Sequence, residues 1–594
     1  MPTVPQSNPV TYIILREMRT PLLVLICVYA LAIIGMALVP GKTGQPMSLF
    51  HAFYFVMYTA TTTGFGEIPE EFSDAQRIWA IICLFVTVIV WLYAIGAIIR
   101  LLQNRFFQLA VDEMRFTRAV NRLPGKYYIL CGFGDTGSLL ARGLSDAGIP
   151  AVVLDKDENR IKALQLRDYT VPMPGLCCDA SVPRFLIEAG VESPLCMGVI
   201  ALTHDEEVNL KIAAVSRLLN PDVRIIAMSA SAFHEETLAT LGKDTHFVDP
   251  FKVFAKGLGA AIGNPWLYVL NEWLSRAKGV SLEKRLHLPP KSEGHWIICG
   301  YGRMGKELYK ILSSIGISTA IIDPHPPEED IEIYIRGRAT AKTLKAAGID
   351  RAVGIVAAND DDGHNLSILI NARGLHPDIF MIVRQNRHHN EIAFSAANAD
   401  IIMQPSLVTA RRILFMLQAP LLRPFFLFLL QTYQDNPQFM ETLFQRLKAV
   451  FGKAKPHLFT LNLVPENVSA LATAWGQGAE IKLGDILRDP RDRTSRLPIV
   501  PFVLRKGQKL IFLPDDNVIL EERDQLLLCG TELAFRLLDA SLNNIYMLFY
   551  LVTGREMPRG YFMRWLRRKL EGAEVESWQV RREESFTVES QRFL

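Results

Sequence analysis

One strand-loop-helix sentence is written twice in this 594-residue chain, and no other feature restricts its fold as strongly. The first copy reads Tyr127-Tyr128-Ile129-Leu130-Cys131-Gly132-Phe133-Gly134-Asp135-Thr136-Gly137. The second reads His295-Trp296-Ile297-Ile298-Cys299-Gly300-Tyr301-Gly302-Arg303-Met304-Gly305 and lies 168 residues further on. In each, an apolar run enters GxGxxG and then a helical pattern. A second apolar run follows, Ala151 to Leu154 or Thr319 to Ile322, and ends at an acid, Asp155 or Asp323, 23 residues after the first glycine. Later marks recur too: Ala201-Leu202-Thr203-His204-Asp205 with Asn209-Leu210 is answered by Ala357-Ala358-Asn359-Asp360-Asp361 with Asn365-Leu366. Short strands alternating with helices predict a parallel α/β sheet, and the fixed interval predicts two copies of one unit.

The physical logic of each copy is that of a dinucleotide site. The first glycine allows a tight turn, the second lets backbone approach a pyrophosphate, and the third permits close helix–strand packing. The helix N-terminus offers free N–H groups to phosphate, and the strand-end aspartate can take ribose hydroxyls. The competing reading is an empty Rossmann scaffold used only for assembly.

The N-terminal part is of another kind. Pro21 to Pro40 and Ile78 to Ile99 are uncharged and long enough to cross a bilayer as helices. Between them, Leu49 to Ala60 is apolar and aromatic but too short to span, which suits a re-entrant helix sheltered by protein. Arg16, Arg19, Arg100, Arg105, Arg115, Arg118 and Arg122 flank the outer ends of the pair, whereas the intervening loop carries Glu67, Glu70, Glu71 and Asp74. The positive-inside bias therefore predicts both termini in the cytoplasm of a multi-pass protein of the cell (inner) membrane. A 49% hydrophobic composition with positive mean hydropathy fits a small membrane part joined to larger water-exposed domains, and a net charge of +3 gives no case for nucleic acid. The eight cysteines are scattered and predict reduced thiols.

The loop after the short helix, Thr61-Thr62-Thr63-Gly64-Phe65-Gly66-Glu67, carries the sharpest chemistry. Successive carbonyls can all face one axis only if the backbone takes conformations that side chains resist, and Gly64 and Gly66 supply that freedom at alternate positions. Stacked carbonyl rings of this kind replace the hydration shell of K⁺. The Thr62 hydroxyl can add another ring, and Glu67 falls at the outer mouth, where carboxylates would concentrate cations.

Residues 12–103 resemble the two-helix pore module of potassium channels, which assemble as tetramers. Thr63 stands where valine is common in that family, and Phe65 replaces the usual tyrosine. The inner helix lacks the customary mid-helix glycine, which by spacing falls near Thr87, and has only Gly96, either a packing contact or a gating hinge. The two glycine-loop units resemble RCK (TrkA-N-like) domains. Pore and units together resemble prokaryotic potassium channels with two tandem RCK domains per subunit.

The resemblance implies a membrane α-helical pore fused to two tandem Rossmann-like domains with a small α+β C-terminal lobe. It implies a homotetramer with an eight-domain ring gated by an adenine nucleotide, NAD or ADP, and no enzymatic activity, nucleic acid or further protein partner. The nucleotide-contacting positions would be Gly132, Phe133, Gly134, Asp135, Thr136, Gly137, Asp155, Lys156, Asp179 and Thr203 in the first unit. In the second they would be Gly300, Tyr301, Gly302, Arg303, Met304, Gly305, Asp323, Arg338, Asn359 and Arg384. Arg338 reverses the charge of Asp179, and Arg384 answers Met228, so the two pockets are expected to differ.

The expected divisions are a pore domain over 1–102, a helical linker continuing the inner helix over 103–124, and a first unit over 125–290. A second unit with its crossover helix then covers 294–455, a small lobe 456–542, and a basic helical tail 543–594. Lys252 to Arg276 and Thr409 to Tyr433 are long apolar stretches following the two lobes, and Ile413 to Leu430 within the second is expected as a crossover helix buried in domain pairing, since Pro420, Pro424 and Arg423 argue against a third span. Asp205-Glu206-Glu207 and Asp360-Asp361-Asp362 could bind Ca²⁺, a regulator used within the family, but helix capping is the commoner role of such acids. His388-His389 reads as a surface turn. Two other classes stay open: a membrane-anchored NAD-dependent oxidoreductase, for which no acid/base constellation is found, and a Trk-like uptake regulator, whose pore needs four repeats of the membrane unit in one chain.

Overall fold

Long uncharged stretches bounded by polar residues form the membrane-type helices. In the computed structural model, residues 9–67, 71–229, 244–274, 289–290, 294–327, 329–452, 454–557 and 578 are described. Helix α1 (Pro9–Leu38) starts well before the expected Pro21 and passes through that proline, which deletes one backbone hydrogen bond without ending the helix. The short α2 (Leu49–Ala60) is capped by Ser48, and α3 (Asp74–Gln103) opens on a capping box between Ser73 and Gln76. Both long helices have the length and apolarity to cross a membrane. They meet where Trp79 Nε1 donates to the Ala32 carbonyl at 3.2 Å. A Cβ on Gly35 would lie 2.1 Å from the Trp79 ring, so the close approach requires glycine. Large apolar side chains such as Leu15, Ile26, Leu31, Ile78, Ile89 and Leu92 face outward, a surface suited to hydrocarbon or to further copies of the chain.

The linker does not continue the inner helix as expected. Asn104 leaves helical geometry (φ −68°, ψ 119°), and its side chain accepts from Phe106 N at 2.9 Å, starting a separate α4 (Arg105–Asn121). The short polar side chain stops one helix and caps the next.

Two six-stranded parallel sheets follow. The first holds β1 (Tyr127–Cys131), β2 (Ala151–Asp155), β3 (Gly175–Cys177), β4 (Cys196–Ala201), β5 (Arg224–Met228) and β6 (Thr245–Val248) in the order β3-β2-β1-β4-β5-β6. Around it run α5 (Asp135–Asp146), α6 (Glu158–Gln165), α7 (Pro183–Glu188) and α8 (Glu206–Leu219). The second repeats the order with β7 (His295–Cys299), β8 (Thr319–Asp323), β9 (Ile333–Arg336), β10 (Ala352–Ala357), β11 (Phe380–Arg384) and β12 (Ile401–Met403). This is the doubly wound arrangement, with its topological switch between β1 and β4 and again between β7 and β10.

Each apolar stretch after a lobe forms two helices rather than one: α9 (Pro250–Gly263) and α10 (Pro265–Leu274) after the first. In the second lobe α11 (Arg303–Ser314), α12 (Ala341–Ala346), α13 (Asp362–Leu375) and α14 (Glu391–Ala396) precede α15 (Pro405–Gln418) and α16 (Leu422–Asp435). The last two meet at 101° across the break at Pro420. The first helix of each pair crosses to the other lobe. Phe251, Ala255, Leu258 and Ile262 of α9 lie in one core with Trp296, Met304 and Leu308 of the second lobe. Ala410 and Ile413 of α15 lie in one core with Tyr128, Leu140 and Leu144 of the first.

The elbow helices and α17 (Pro437–Phe451) cover one face of an antiparallel sheet of β13 (His457–Asn462), β16 (Ile499–Lys506), β17 (Lys509–Phe512) and β18 (Gln525–Gly530). The pair β14 (Arg488–Asp489) and β15 (Asp492–Arg496) lies beside it. Phe425 stacks on Phe502 at 4.5 Å and Phe428 on Phe512 at 4.4 Å. Of the stretch from Ile413 to Leu430, Ile413 is thus buried against the first lobe and Leu422, Phe425 and Leu429 against this sheet, while Arg423, Leu427 and Leu430 are exposed. On the other face pack α18 (Ser469–Gly476), α19 (Leu483–Ile486), α20 (Glu532–Asn543) and α21 (Ile545–Thr553). The segment expected as a tail therefore begins with a helix of this lobe, Leu548, Phe549, Leu551 and Val552 being buried. Arg564, Arg567, Arg568 and Lys569 lie outside the described residues.

The exchange of crossover helices depends on two glycines. A Cβ on Gly143 would meet Leu414 Cδ1 at 2.4 Å, and one on Gly259 would meet Ile311 Cγ2 at 2.5 Å. Gly143→Val and Gly259→Val should each destabilise the protein by about 1–3 kcal/mol through overpacking, read as a lower unfolding temperature in detergent.

Candidate functional site

The pore loop is built off the end of α2. Thr61 N and Thr63 N donate to the Met57 and Tyr58 carbonyls at 3.1 and 2.9 Å, tying the loop back to the short helix. Gly64 (φ 66°) and Gly66 (φ 91°) take the left-handed backbone that the alternate spacing predicts, and so does Thr62 (φ 59°). For a β-branched residue that conformation is strained, and sequence pattern gives no sign of it. Residues 61–67 are exposed along one side of the subunit. Thr61 and Thr63 hydroxyls lie 3.0 Å apart behind the loop. The Phe65 ring stacks 6.3 Å from Tyr54 and meets Tyr58 edge-on at 5.5 Å. Phe65 has no hydroxyl to brace the loop, and Tyr58 supplies a brace from the helix side by donating to the Gly66 carbonyl.

Glu67 departs from the expectation of a free mouth carboxylate. Arg77 grips it through Nε at 2.8 Å and Nη2 at 3.2 Å, and Phe72 N donates at 2.9 Å. These bonds, Arg77's first, hold its carboxyl below the usual range. Its charge is thus paired with Arg77 within the subunit. At Gly96 a Cβ would meet nothing within 4 Å, so packing inside the subunit does not account for that glycine.

In the first lobe the three glycines have distinct environments. Gly132 (φ 107°) turns the chain against Leu202, and a Cβ on Gly137 would lie 2.2 Å from the Gly132 carbonyl oxygen. At Gly134 a Cβ would fit without a clash, in ordinary contact with Arg160 Nη1 at 3.7 Å and His204 Nε2 at 3.8 Å. The second lobe repeats this: Gly300 has φ 102°, a Cβ on Gly305 would lie 2.0 Å from the Gly300 oxygen, and one on Gly302 would meet nothing within 4 Å. The open middle glycine, where a Cβ would obstruct an approaching phosphate, is the feature that fits a nucleotide at the N-terminus of α5 and of α11.

The strand-end aspartates do more than await a ribose. Asp155 is buried, and its oxygens accept from Phe133 N at 2.5 Å and Asp157 N at 2.8 Å. Asp323 likewise accepts from Tyr301 N at 2.7 Å and His325 N at 2.8 Å. Each carboxylate thus staples its own glycine loop. Around the first loop Lys156 lies 3.1 Å from Asp179, and Ser181 N donates to Asp179 at 2.9 Å. Asp135 and Thr136 open α5 beside them. Arg160 and His204, the latter 3.8 Å from the position of a Gly134 Cβ, complete this rim. Sequence reasoning missed both, because neither belongs to the glycine motif or repeats in the other unit.

The second loop has different walls. Met304 is fully buried in the core and its side chain cannot contact a ligand, contrary to expectation. Tyr301 is also buried, its hydroxyl donating to Glu329 at 2.8 Å. Arg338 is exposed. Arg384 is buried, paired with the exposed Asp360 and stacked 4.6 Å over Phe251, while its Nε is buried without a hydrogen-bond partner. Arg303 reaches across to Glu206 of the first lobe at 3.3 Å.

The acidic clusters act as structural groups. Asp205 caps α8 through Glu207 N at 2.9 Å, and Asp361 caps α13 through His364 N at 2.7 Å. Asp362 accepts from Asn386 N at 2.7 Å and Asn390 Nδ2 at 2.7 Å. Among the described residues no His, Cys, Asp or Glu group is arranged to hold a metal ion, and Ca²⁺ finds no support. His388 and His389 lie in a short surface helical turn.

The recurring Asn209 and Asn365 have a shared role. Asn209 accepts from Thr203 N at 2.9 Å and donates to the Thr203 and Met228 carbonyls at 3.0 and 2.9 Å. Asn365 does the same for Asn359 N at 3.0 Å and for the Asn359 and Arg384 carbonyls, both at 2.8 Å. Each asparagine fixes the turn that faces its glycine loop. Asn209→Ala or Asn365→Ala should cost about 1–3 kcal/mol per backbone group left unpaired, measured by denaturant unfolding.

Comparison with known proteins agrees with this division. Residues 23–104 match the family described as ion channel, and residues 128–248 and 296–405 match the TrkA-N domain. Potassium channel protein 1 of Methanocaldococcus jannaschii is 26% identical over 206 residues, which are 34% of this chain and 59% of that protein. Probable potassium channel protein 2 of the same organism is 24% identical over 184 residues, 31% of this chain and 52% of that protein. The chain thus spans little more than half the length of these relatives. A solved structure titled GsuK Channel is 19% identical with a TM-score of 0.47, over 89% of this chain and 99% of that one. The chain joins an ion-channel domain to two TrkA-N domains and is homologous to the methanogen potassium channel proteins over the aligned stretches.

Proposed function

We propose that this chain is the subunit of a K⁺-conducting membrane channel whose opening responds to an adenine nucleotide bound by the TrkA-N lobes. The observation that carries the reading is the loop 62–66, where three alternate residues with left-handed backbone sit between a short re-entrant helix and a spanning helix. One subunit leaves that loop exposed and encloses no path, so four copies around an axis are proposed, with eight lobes forming a ring. The arginines flanking the outer ends of the spans support a cytoplasmic ring in the cell membrane. The relatives' names support K⁺ as the permeant ion, and a solved structure titled GsuK channel bound to NAD supports the ligand class.

Ligand binding would bias the ring toward one shape, and its differential affinity for the two shapes sets how far the gate shifts. The first pocket is the better candidate. Its open Gly134 is rimmed by Arg160, Lys156 and His204, and in Asp179 burial works against the charge but bonds from Ser181 and Lys156 prevail and lower its pKa. The second has Arg384 already paired. The oxidoreductase reading has no side-chain constellation to support it.

Purified protein in liposomes should pass K⁺, and NAD or ADP should change the flux. Nucleotide-linked chemistry without flux would overturn the channel reading, and flux indifferent to nucleotide would overturn the gating. Gly134→Ala should leave the unfolding temperature near that of the parent while weakening nucleotide binding about tenfold or more by blocking close backbone approach. Gly137→Ala should instead lower stability by about 1–3 kcal/mol. Calorimetric binding and thermal melts distinguish the two.

A further inference from the structure

The pseudo-symmetry of the two lobes makes one corner of the molecule stand out. In the first lobe α15 packs against the face of the sheet carrying Ile226 and Val248. Strand alternation puts Arg224 on the same face as Ile226, and His246 is the register partner of Ile226 on the edge strand β6. Arg412 lies on α15, and Arg423 opens α16 just past the 101° elbow. Arg224, His246 and Arg412 are half-buried and Arg423 is exposed. Their mutual field is felt: burial and then Arg423 depress Arg412, while burial, Arg224, Arg423 and Arg412 all depress His246 against the opposing pull of Asp244. None of the four has a hydrogen-bonded or ion-paired side-chain partner among the described residues.

The scaffold does not require these charges. In the equivalent corner of the second lobe, β11 begins with Phe380 where β5 begins with Arg224, and Ile401 is the register partner of Ile382 as His246 is of Ile226. Gly257 occupies the position on α9 that Arg412 holds on α15, and Tyr268 follows Pro265 as Arg423 follows Pro420. The same fold is therefore built once with Phe, Ile, Gly and Tyr and once with four cationic or protonatable groups. Gathering guanidinium groups at a half-buried corner is unfavourable unless an anion compensates them.

We propose that this corner, formed by Arg224, His246, Arg412 and Arg423 where the sheet edge meets the α15–α16 elbow, binds a phosphate-bearing anion. One carboxylate occupies a single guanidinium fork, whereas the several oxygens and double charge of a phosphate or pyrophosphate match three forks that have no ion-paired partner among the described residues. The corner lies at the N-terminal ends of β5 and β6. The glycine loop follows the C-terminal end of β1 in the same parallel sheet, so the two sites occupy opposite ends of the lobe. A bound anion would tie the first lobe's edge to a helix donated by the second and so act on their relative position independently of the glycine-loop pocket.

The test uses the full chain in detergent micelles and in lipid nanodiscs. Pyrophosphate should raise the unfolding temperature of the parent protein in micelles. The pair Arg412→Gln and Arg423→Gln should shift the half-saturating concentration about tenfold or more, as expected for losing charge-assisted bonds, while ADP binding stays unchanged. Arg423→Gln alone, at an exposed position, should shift it about threefold and decides the matter if the double variant does not fold. A free phosphate compound acts equally in nanodiscs of phosphatidylcholine and phosphatidylglycerol. A lipid headgroup instead stabilises the parent but not the variant in phosphatidylglycerol, with pyrophosphate competing. No stabilisation of the parent by either source, or an equal response of parent and variants, overturns the proposal.

Discussion

Burial of α9 in the second lobe and of α15 in the first is the constraint on which the rest of the molecule depends. Neither sheet covers its own face completely, because the helix that would do so is supplied by the other lobe. Leu258 and Ile262 complete a core around Trp296, while Ala410 and Ile413 complete one around Tyr128. The lobes cannot separate without exposing both faces to water, at roughly 25 cal/mol for each Å² of apolar surface.

Within that frame, the glycine loops are rigid parts. A buried carboxylate holds each loop from below, the third glycine packs on the first one's carbonyl, and an asparagine pins the facing turn. Only the middle glycine is left open. The lobes then differ in what surrounds this common cradle: Lys156, Arg160 and Asp179 in one, and Tyr301–Glu329 and Arg303–Glu206 contacts in the other. The Arg303 contact joins the second lobe's loop helix directly to α8 of the first.

The pore loop obeys a different economy. Strain at Thr62 is held by ties from Thr61 and Thr63 to α2 and by the Tyr58 hydroxyl on the Gly66 carbonyl. Phe65 contributes stacking in place of a polar brace. Arg77 holds Glu67 from α3, so the outer end of the loop is fastened to the spanning helix itself, and the fold uses that carboxylate first as an anchor.

Much of this was legible in the sequence, because the signals are local. Apolar length defined the two spans, alternate glycines defined the pore loop, and a motif repeated at a fixed interval defined two doubly wound lobes with their strand-end acids. Helix capping by Asp205 and Asp361 also follows from residue type at a helix start. What the sequence could not decide was which partner each element meets. That the crossover helices trade lobes, that Asp155 staples its loop, that Met304 is buried, that Asn104 breaks the inner helix and that Arg77 claims Glu67 all depend on contacts between residues far apart or on competition among equally plausible local states. The sequence by itself determined the elements and their chemistry, since backbone freedom, hydrophobic length and motif spacing are properties of short segments. Only the tertiary structure decided which charges are neutralised and which, as at Arg224, His246, Arg412 and Arg423, are left facing one another, because pairing is set by distance in space.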